Sequence, residues 1–353
     1  MRGGCRIQTL GTMGKTIAWL PLRALGASLS MKPVVKDFIG AIAQGIGGTV
    51  LVVGIASMFL ARQLWLADLL VNFQVHFMVC LLVCLFLLVL VRRQLTAAGL
   101  LVGTLVLAFP VIPYLKVPFR EDPIVAVKDD EKVYRLLTYN VQQSNTRTQD
   151  IADYISTESV DFLLVIEADA FWEKELEFEL KDHFPHRFAE PREDNLGQVF
   201  YSKHPWKSIR LVGEFGFPTV ETIFALPEGD LCLLGVHPFP PVTAGAASER
   251  NAFFSELGDY AAGLSGSVLV AGDFNATPWS PHFQDLLARG ELRDSGLGRG
   301  IQNTWYRLPN LFCGLPIDHV LTRGSAVQRR HIGPPIGSDH RPITVDFLLR
   351  ATN

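Results

Sequence analysis

Three stretches of this 353-residue chain carry no Asp, Glu, Lys or Arg: Phe38 to Ala61, Leu69 to Val91 and Gln94 to Leu115. Each is long enough to cross a hydrocarbon core of about 30 Å as a helix, which takes roughly 20 apolar residues. Buried helices of water-soluble cores seldom run so far without a charge. The sequence therefore predicts three transmembrane helices within residues 38–115. They follow a basic cytoplasmic leader over 1–37 and precede a linker over 116–131 and a catalytic domain over 132–353. Pro110 and Pro113 are expected to kink the third span near its outer end.

Basic residues set the expected orientation. Arg2, Arg6, Lys15, Arg23, Lys32 and Lys36 precede the first window, and Arg92 and Arg93 separate the second from the third. The first loop offers only Arg62, so the amino terminus and second loop are expected in the cytoplasm. An odd number of spans then puts the domain on the periplasmic or extracellular side of the inner (plasma) membrane, with Lys116 and Arg120 a weaker opposing set. Residues 1–30 fit neither a span nor a signal peptide, because Pro21 and Arg23 interrupt Ile17 to Leu29, and "MKPVVKDF" from Met31 reads as an ordinary lead into a span.

Residues 1–119 hold ten Lys or Arg against two Asp or Glu, a net of +8; the whole chain is −3, which leaves −11 for residues 120–353. A domain that grips many phosphates presents a basic face, so nucleic acid is disfavoured as a partner. Of the five cysteines, only Cys232 and Cys313 are available to an exported domain; nothing supports pairing them, and no metal-type CxxC spacing occurs.

From Arg120 the pattern changes to short apolar runs separated by turns. Strands are predicted at Val133–Tyr139, Phe162–Ile166, Gln198–Tyr201, Thr222–Leu226, Leu231–Val236, Ser267–Ala271, Ile317–Leu321 and Ile343–Leu348. Helices are predicted at Thr148–Ser156, Ala170–Leu180 and Ser248–Gly263. Many strands with scattered helices imply two packed sheets with helices outside.

The strand ends carry the chemistry. In "VAGDFNATPWS", Gly272 ends a buried run and Asp273 and Asn275 follow on one face; they either serve a reacting oxygen together or form an Asx-type turn. "LLTYNV" presents Asn140, "LLVIEAD" Glu167, "LGVHPFPP" His237 and "GLPIDHV" Asp318, and "GSDHRP" sets Asp339 and His340 before the last strand. Dispersed oxygen ligands favour Mg²⁺ or Mn²⁺ over zinc, and histidines with acidic partners supply acid–base groups. Together they point to metal-assisted hydrolysis at phosphorus.

In this order and spread, "TYNV", "IEAD", "GDFN", "IDHV" and "GSDH" resemble the endonuclease/exonuclease/phosphatase superfamily, over roughly Tyr134 to Leu349. The resemblance implies a four-layered α/β sandwich, two packed mixed sheets flanked by helices, with the site at one end. It implies Glu167 as the main Mg²⁺ ligand with Asn140 beside it and Asp339 helping. Asp273 would orient or deprotonate the attacking water and Asn275 would hydrogen-bond a phosphoryl oxygen. His340 would contact the scissile phosphate with its tautomer fixed by Asp318, and His237 would be the second histidine.

An apolar rim is expected from Phe215, Phe217, Phe239, Pro240, Pro241, Trp279, Phe283, Trp305, Tyr306 and Phe312, suited to a lipid tail or the bilayer. The layout is also similar to membrane-anchored bacterial proteins associated with teicoplanin resistance. That resemblance implies a phosphatase of a lipid pyrophosphate such as undecaprenyl pyrophosphate, with Arg250, Arg307 or Arg341 clamping the second phosphate. The alternatives are an exported nuclease, a sphingomyelinase-like phosphodiesterase, or a membrane binding module without activity. No protein partner is indicated.

Overall fold

Strands that are apolar at every residue need a cover on both faces. The chain supplies one for each of its interior strands. The computed structural model describes residues 31–116, 131–213, 216–306 and 313–350. The expected linker therefore lies almost wholly outside the described residues, as do residues 1–30, Phe215, Arg307 and Phe312.

The first sheet is built from β1 (Tyr134–Asn140), β2 (Phe162–Ile166), β3 (His186–Glu190), β4 (Gln198–Ser202), β13 (Ser325–Ile332) and β14 (Ile343–Leu349), in the order β13-β14-β1-β2-β4-β3. The second contains β5 (Trp206–Val212), β6 (Thr219–Leu226), β7 (Gly229–Val236), β8 (Ser267–Asp273), β9 (Arg293–Asp294) and β12 (Asp318–Arg323), in the order β5-β6-β7-β8-β12-β9. A short pair, β10 (Trp305–Tyr306) and β11 (Gly314–Leu315), stands apart. The only parallel pairs among these strands are β1–β2, spanned by α5 (Thr148–Thr157), and β7–β8, spanned by α7 (Ala244–Gly263). Both sheets are thus mixed.

Alternation of side chains sorts the apolar residues into layers. Leu136, Phe162, Leu164, Phe224, Leu233, Leu269 and Phe347 meet between the sheets. Leu137, Leu163 and Val165 face outward against Ile151 and Ile155 of α5 and Trp172 and Leu176 of α6 (Ala170–Leu180). Leu234, Val268 and Val270 do the same against Phe253, Phe254 and Leu257 of α7 and Phe283 and Leu286 of α8 (Pro281–Arg289). The result is the expected four layers.

The apolar amino-terminal part differs from expectation. Among the described residues only α1 (Pro33–Leu60, 28 residues) is by itself long and apolar enough to cross a membrane. The second window is broken into α2 (Trp65–Val71) and α3 (Gln74–Leu90), bent by 67°, and would make a second span only if the two are counted together. The third yields α4 (Gln94–Ala108), whose 15 residues reach about 22 Å. Three spans read from charge-free windows thus become one long helix, one broken pair and one short helix. The break falls where Asn72 turns its amide back onto the Asp68 and Leu69 carbonyls, which a continuous helix would occupy differently.

These helices pack closely. Gly40, Gly47 and Gly54 recur every seventh residue on α1; a Cβ on Gly47 would lie 2.6 Å from Leu100, and one on Gly54 2.9 Å from Leu107. Small residues let helix backbones approach in this way. One end of the bundle is basic, with Lys32, Lys36, Arg92 and Arg93; the other is docked on the α/β body. There Asp68 of α2 and Arg250 of α7 form a fully buried ion pair at 2.6 Å. Asn251 also donates to Asp68, at 3.0 Å. Asn72 accepts from the Thr277 N–H (2.8 Å) and hydroxyl (3.0 Å), and the Trp279 indole donates to the Asn72 carbonyl. Arg62 pairs with Asp285 at the rim.

Removing one member of a buried pair leaves an uncompensated charge and costs about 3–5 kcal/mol, whereas replacing both with apolar groups is close to neutral. Asp68→Ala should therefore lower the thermal unfolding midpoint of the detergent-solubilised protein strongly. The double change Asp68→Leu with Arg250→Met should recover most of the loss. Equal losses in both variants would mean the pair does not hold the two parts together.

Candidate active site

Every strand end that the sequence singles out arrives at the same end of the sandwich. Parallel pairing sets Asn140 level with Ile166, so Glu167 follows directly beside it. On the second sheet, Val236 is level with Gly272, which places His237 next to Asp273, and antiparallel pairing sets Asp318 opposite Asp273. Gly272 makes this approach possible: at φ +148° it brings the chain so near the Val236 carbonyl that a Cβ would lie 1.9 Å from its oxygen. Ser338 donates to the Asn140 carbonyl and accepts from the His340 N–H, tying the loop before β14 to the end of β1.

The side chains form one connected network. Asn140 Nδ2 donates to Glu167 Oε1 (2.8 Å) and Asp273 Oδ2 (3.2 Å). His340 Nδ1 donates to Asp318 Oδ2 at 2.8 Å, and its Nε2 lies 3.5 Å from Asp273 Oδ2. His237 Nδ1 donates to the Asn195 carbonyl (2.9 Å), which aims Nε2 at Asp273 (3.6 Å) and Glu167 (3.8 Å). The Asx-type turn expected of "GDFN" is present, Asp273 Oδ1 accepting the Asn275 N–H at 2.8 Å, and it leaves Oδ2 facing the histidines. Asn275, which lines the cavity, donates one amide hydrogen to the Pro238 carbonyl. The Trp305 indole donates to Asp339 Oδ2 (2.9 Å).

Burial pushes the Asp273 carboxyl up, and the Asp318 charge adds to it; the lowering by His340 and His237 leaves it at about 6. Burial pulls the His340 imidazole down, but Asp318 and Asp273 outweigh it and push it up to about 10. Asp273, Asp318 and His340 have ligand-type atoms within 4.8 Å of one another. The His340 Nδ1 contact to Asp318 joins two of these as an acid–base pair beside Asp273, and the three together could also hold a divalent cation. Asn140 turns its NH₂ toward Glu167, its Oδ1 being taken by the Gln142 N–H, so in this arrangement it steadies the glutamate. Glu167, Asp273 and Asp339 remain as carboxylates facing the cavity that could hold a cation.

That cavity measures about 520 Å³ and is lined by Glu167, His237, Asp273, Asn275, Asp339 and His340 among others. Among the described residues no Lys or Arg lines it, and Glu167, Asp194, Asp273 and Asp339 do. Two of the three arginines expected to clamp a second phosphate are engaged elsewhere, Arg250 on Asp68 and the Asn275 carbonyl and Arg341 on the Gly333 carbonyl, while the third, Arg307, lies outside the described residues. Of the expected apolar rim, Phe239, Pro240, Pro241 and Trp305 line the cavity, whereas Phe217, Trp279 and Phe283 are buried behind it. Seven described non-glycine residues have left-handed backbone, and four of them, Gln142, Glu167, Asn195 and Asn275, line this cavity. Such strain gathers at functional sites.

Residues 137–340 match the sequence pattern described as the Endonuclease/Exonuclease/phosphatase family. The chain belongs to that family. A UPF0294 protein of Vibrio parahaemolyticus is 30% identical over 154 residues, which are 43% of this chain and 50% of that protein. The chain thus spans about half the length of this curated relative. A solved endonuclease/exonuclease/phosphatase structure from Beutenbergia cavernae has a TM-score of 0.51 at 20% identity, covering 62% of this chain and 72% of the other. One from Bacteroides vulgatus has a TM-score of 0.52 at 16% identity, covering 62% and 100%. These structures share the fold of the family's hydrolases.

Several supports of this family site went unread in the sequence. His319 contacts Asp294 (3.1 Å) and the Ala276 carbonyl (3.0 Å), and Arg330 donates to the Asp318 carbonyl (3.2 Å). Burial raises Asp294, but His319 and Arg330 outweigh it and hold it below the usual carboxylate range. Thr304 Oγ1 accepts the Ile317 and Asp318 N–H groups. His319 sits inside "IDHV" and was legible as a motif member, whereas Thr304 and Asp294 carry no local signal.

The His340–Asp318 pair has a pH signature. A histidine raised from 6.5 to about 10 in the folded chain contributes stability that is fully present below pH 6.5 and lost as pH rises through 10. In excess chelator, the unfolding midpoint should fall across that window, and Asp318→Asn should remove most of the fall. An identical slope in the variant would place the titration elsewhere.

Proposed function

We propose that the protein is a membrane-anchored, Mg²⁺-dependent hydrolase of a lipid-linked phosphate, most favourably a lipid pyrophosphate such as undecaprenyl pyrophosphate. One observation carries this reading: the active-site cavity has a wall from each part of the molecule. Leu69, Asn72 and Phe73 of the apolar helices stand across it from Glu167, Asp273 and His340. A site that served only water-soluble esters would have no use for an apolar helix bend at its mouth.

Bound Mg²⁺ (or Mn²⁺) would be held by Glu167 with Asp339 and would polarise the phosphoryl oxygen and offset the acidic pocket. Asp273, raised to about 6, is matched to taking a proton from water near neutral pH. His340, held by Asp318, presents charge to the phosphoryl group, and His237 flanks it from the other side. Asn275, whose amide has a second hydrogen, would donate it to a phosphoryl oxygen in the cavity. The absence of Lys and Arg from the described lining weighs against a nuclease, which needs phosphate contacts along a strand.

The helix arrangement supports the orientation inferred from charge. The basic end of the bundle is opposite the docked body, so α1 and α4 both finish beside the α/β domain, at Arg62 with Asp285 and at Pro113 with Gly298. We place α1, the α2–α3 pair and α4 in the inner membrane and the catalytic domain outside the cytoplasm. A reporter fused after Asn353 and active only in the cytoplasm would overturn this.

The detergent-purified protein should release inorganic phosphate from undecaprenyl pyrophosphate in Mg²⁺, stop in chelator, and recover when Mg²⁺ returns. Glu167→Gln and His340→Ala should each slow it by about 10²–10⁴. No release by a folded protein that still cleaves a water-soluble phosphodiester would exclude the lipid pyrophosphate and leave a phosphodiesterase.

A further inference from the structure

The active-site cavity is bordered on the helix side by a second recess. Leu315 of β11 belongs to its wall and also to the wall of that recess, of about 230 Å³. The far side of the recess is α3, which contributes Val75, His76, Val79 and Cys80, faced by Trp279. Residues four apart on a helix lie one above the other, so Val75, Val79 and Val83 form a single stripe running away from the site. The stripe stays open: Val79 is 57% exposed, Val83 54% and Phe86 67%.

We infer that the substrate's hydrocarbon chain leaves the active-site cavity past Leu315 and lies along the Val75–Val79–Val83 face of α3. Its phosphate then stays among Glu167, Asp273 and His340. This rests on the lipid-phosphate reading and adds to it the place of the chain. Three features commit the recess to an isoprenoid or similar hydrocarbon chain. It shares the Leu315 wall with the catalytic cavity, α3 brings no Asp, Glu, Lys or Arg to it, and Val75, Val79, Cys80, Trp279 and Leu315 make up most of its lining beside His76 and Asn303. A peptide or nucleotide laid there would lose its water contacts and find few partners, which costs more than the apolar contact returns. The bend between α2 and α3 is what turns the stripe into line with the cavity mouth, because Phe73 at the bend lines the cavity and Val75, two residues on, lines the recess.

Filling the recess tests this without touching the catalytic end. Val75→Trp and Val79→Trp, in the full chain in detergent, should raise KM for a long-chain polyprenyl pyrophosphate by at least about tenfold. They should leave turnover of bis(p-nitrophenyl) phosphate, which has no chain, unchanged. An unchanged KM for the long lipid would overturn the route and leave the lipid-phosphate reading intact. If the unaltered protein cleaves the soluble diester but no lipid phosphate, both fall together. A second measurement needs no variant: a polyprenyl pyrophosphate with a photoreactive group on its chain should label peptides from residues 74–90. Label confined to α1 or α4 would overturn the route.

Discussion

A carboxylate on an apolar helix and a guanidinium on the face of a sandwich meet with no water between them. Neither Asp68 nor Arg250 is a stable charge where it lies without the other. Burial alone drives the arginine below its ordinary value, and Asp68 works against that. The same arginine reaches the Asn275 carbonyl at 3.0 Å, so the contact that joins helix bundle to α/β body also supports the loop holding Asp273 and Asn275. Asn72 adds a second tie to that loop, through Thr277. The position of the loop carrying Asp273 and Asn275 therefore depends on the helices, and the two parts of the chain act as one structure.

The interior of the sandwich was legible because each interior strand contains a short, predominantly apolar run. Phe162–Ile166 and Ala170–Leu180 fall where the pattern puts them, and the other predicted interior strands are displaced by three residues or fewer at either end. What was missed is systematic. β3, β5, β9 and β13 are the four edge strands of the two large sheets, and the unpredicted β10 and β11 form a two-residue pair of their own. Edge strands carry charge to resist pairing with other chains, as in "WKSIRLV" and "SAVQRRHI", and so lack the apolar signal that marks a strand. α8 was missed for a similar reason, being short and polar on one face.

The site was legible through a different signal, a polar residue directly after an apolar run. Asn140, Glu167, His237, Asp273, Asn275, Asp318, Asp339 and His340 all come to one end of the sheets, because each marks a strand terminus. The docking contacts were not legible. A lone Asp68 beside a charge-free window looks like a residue at the membrane interface, and Arg250 looks like a phosphate ligand. Only their mutual burial shows otherwise. The windows also overstated the helices, since absence of charge measures how far a segment is apolar but not where its backbone breaks.

The wall shared between bundle and body has a kinetic consequence. On the proposed reading, substrate reaches the site by lateral diffusion in two dimensions, so the quantity that saturates the enzyme is the mole fraction of lipid in the surface. Diluting the carrier with inert lipid or detergent would then slow the enzyme at constant bulk concentration. The same tether raises the effective concentration of enzyme for substrate without any tighter contact in the pocket. Affinity for the phosphate itself need not be high, and weak binding favours release of the product back into the bilayer.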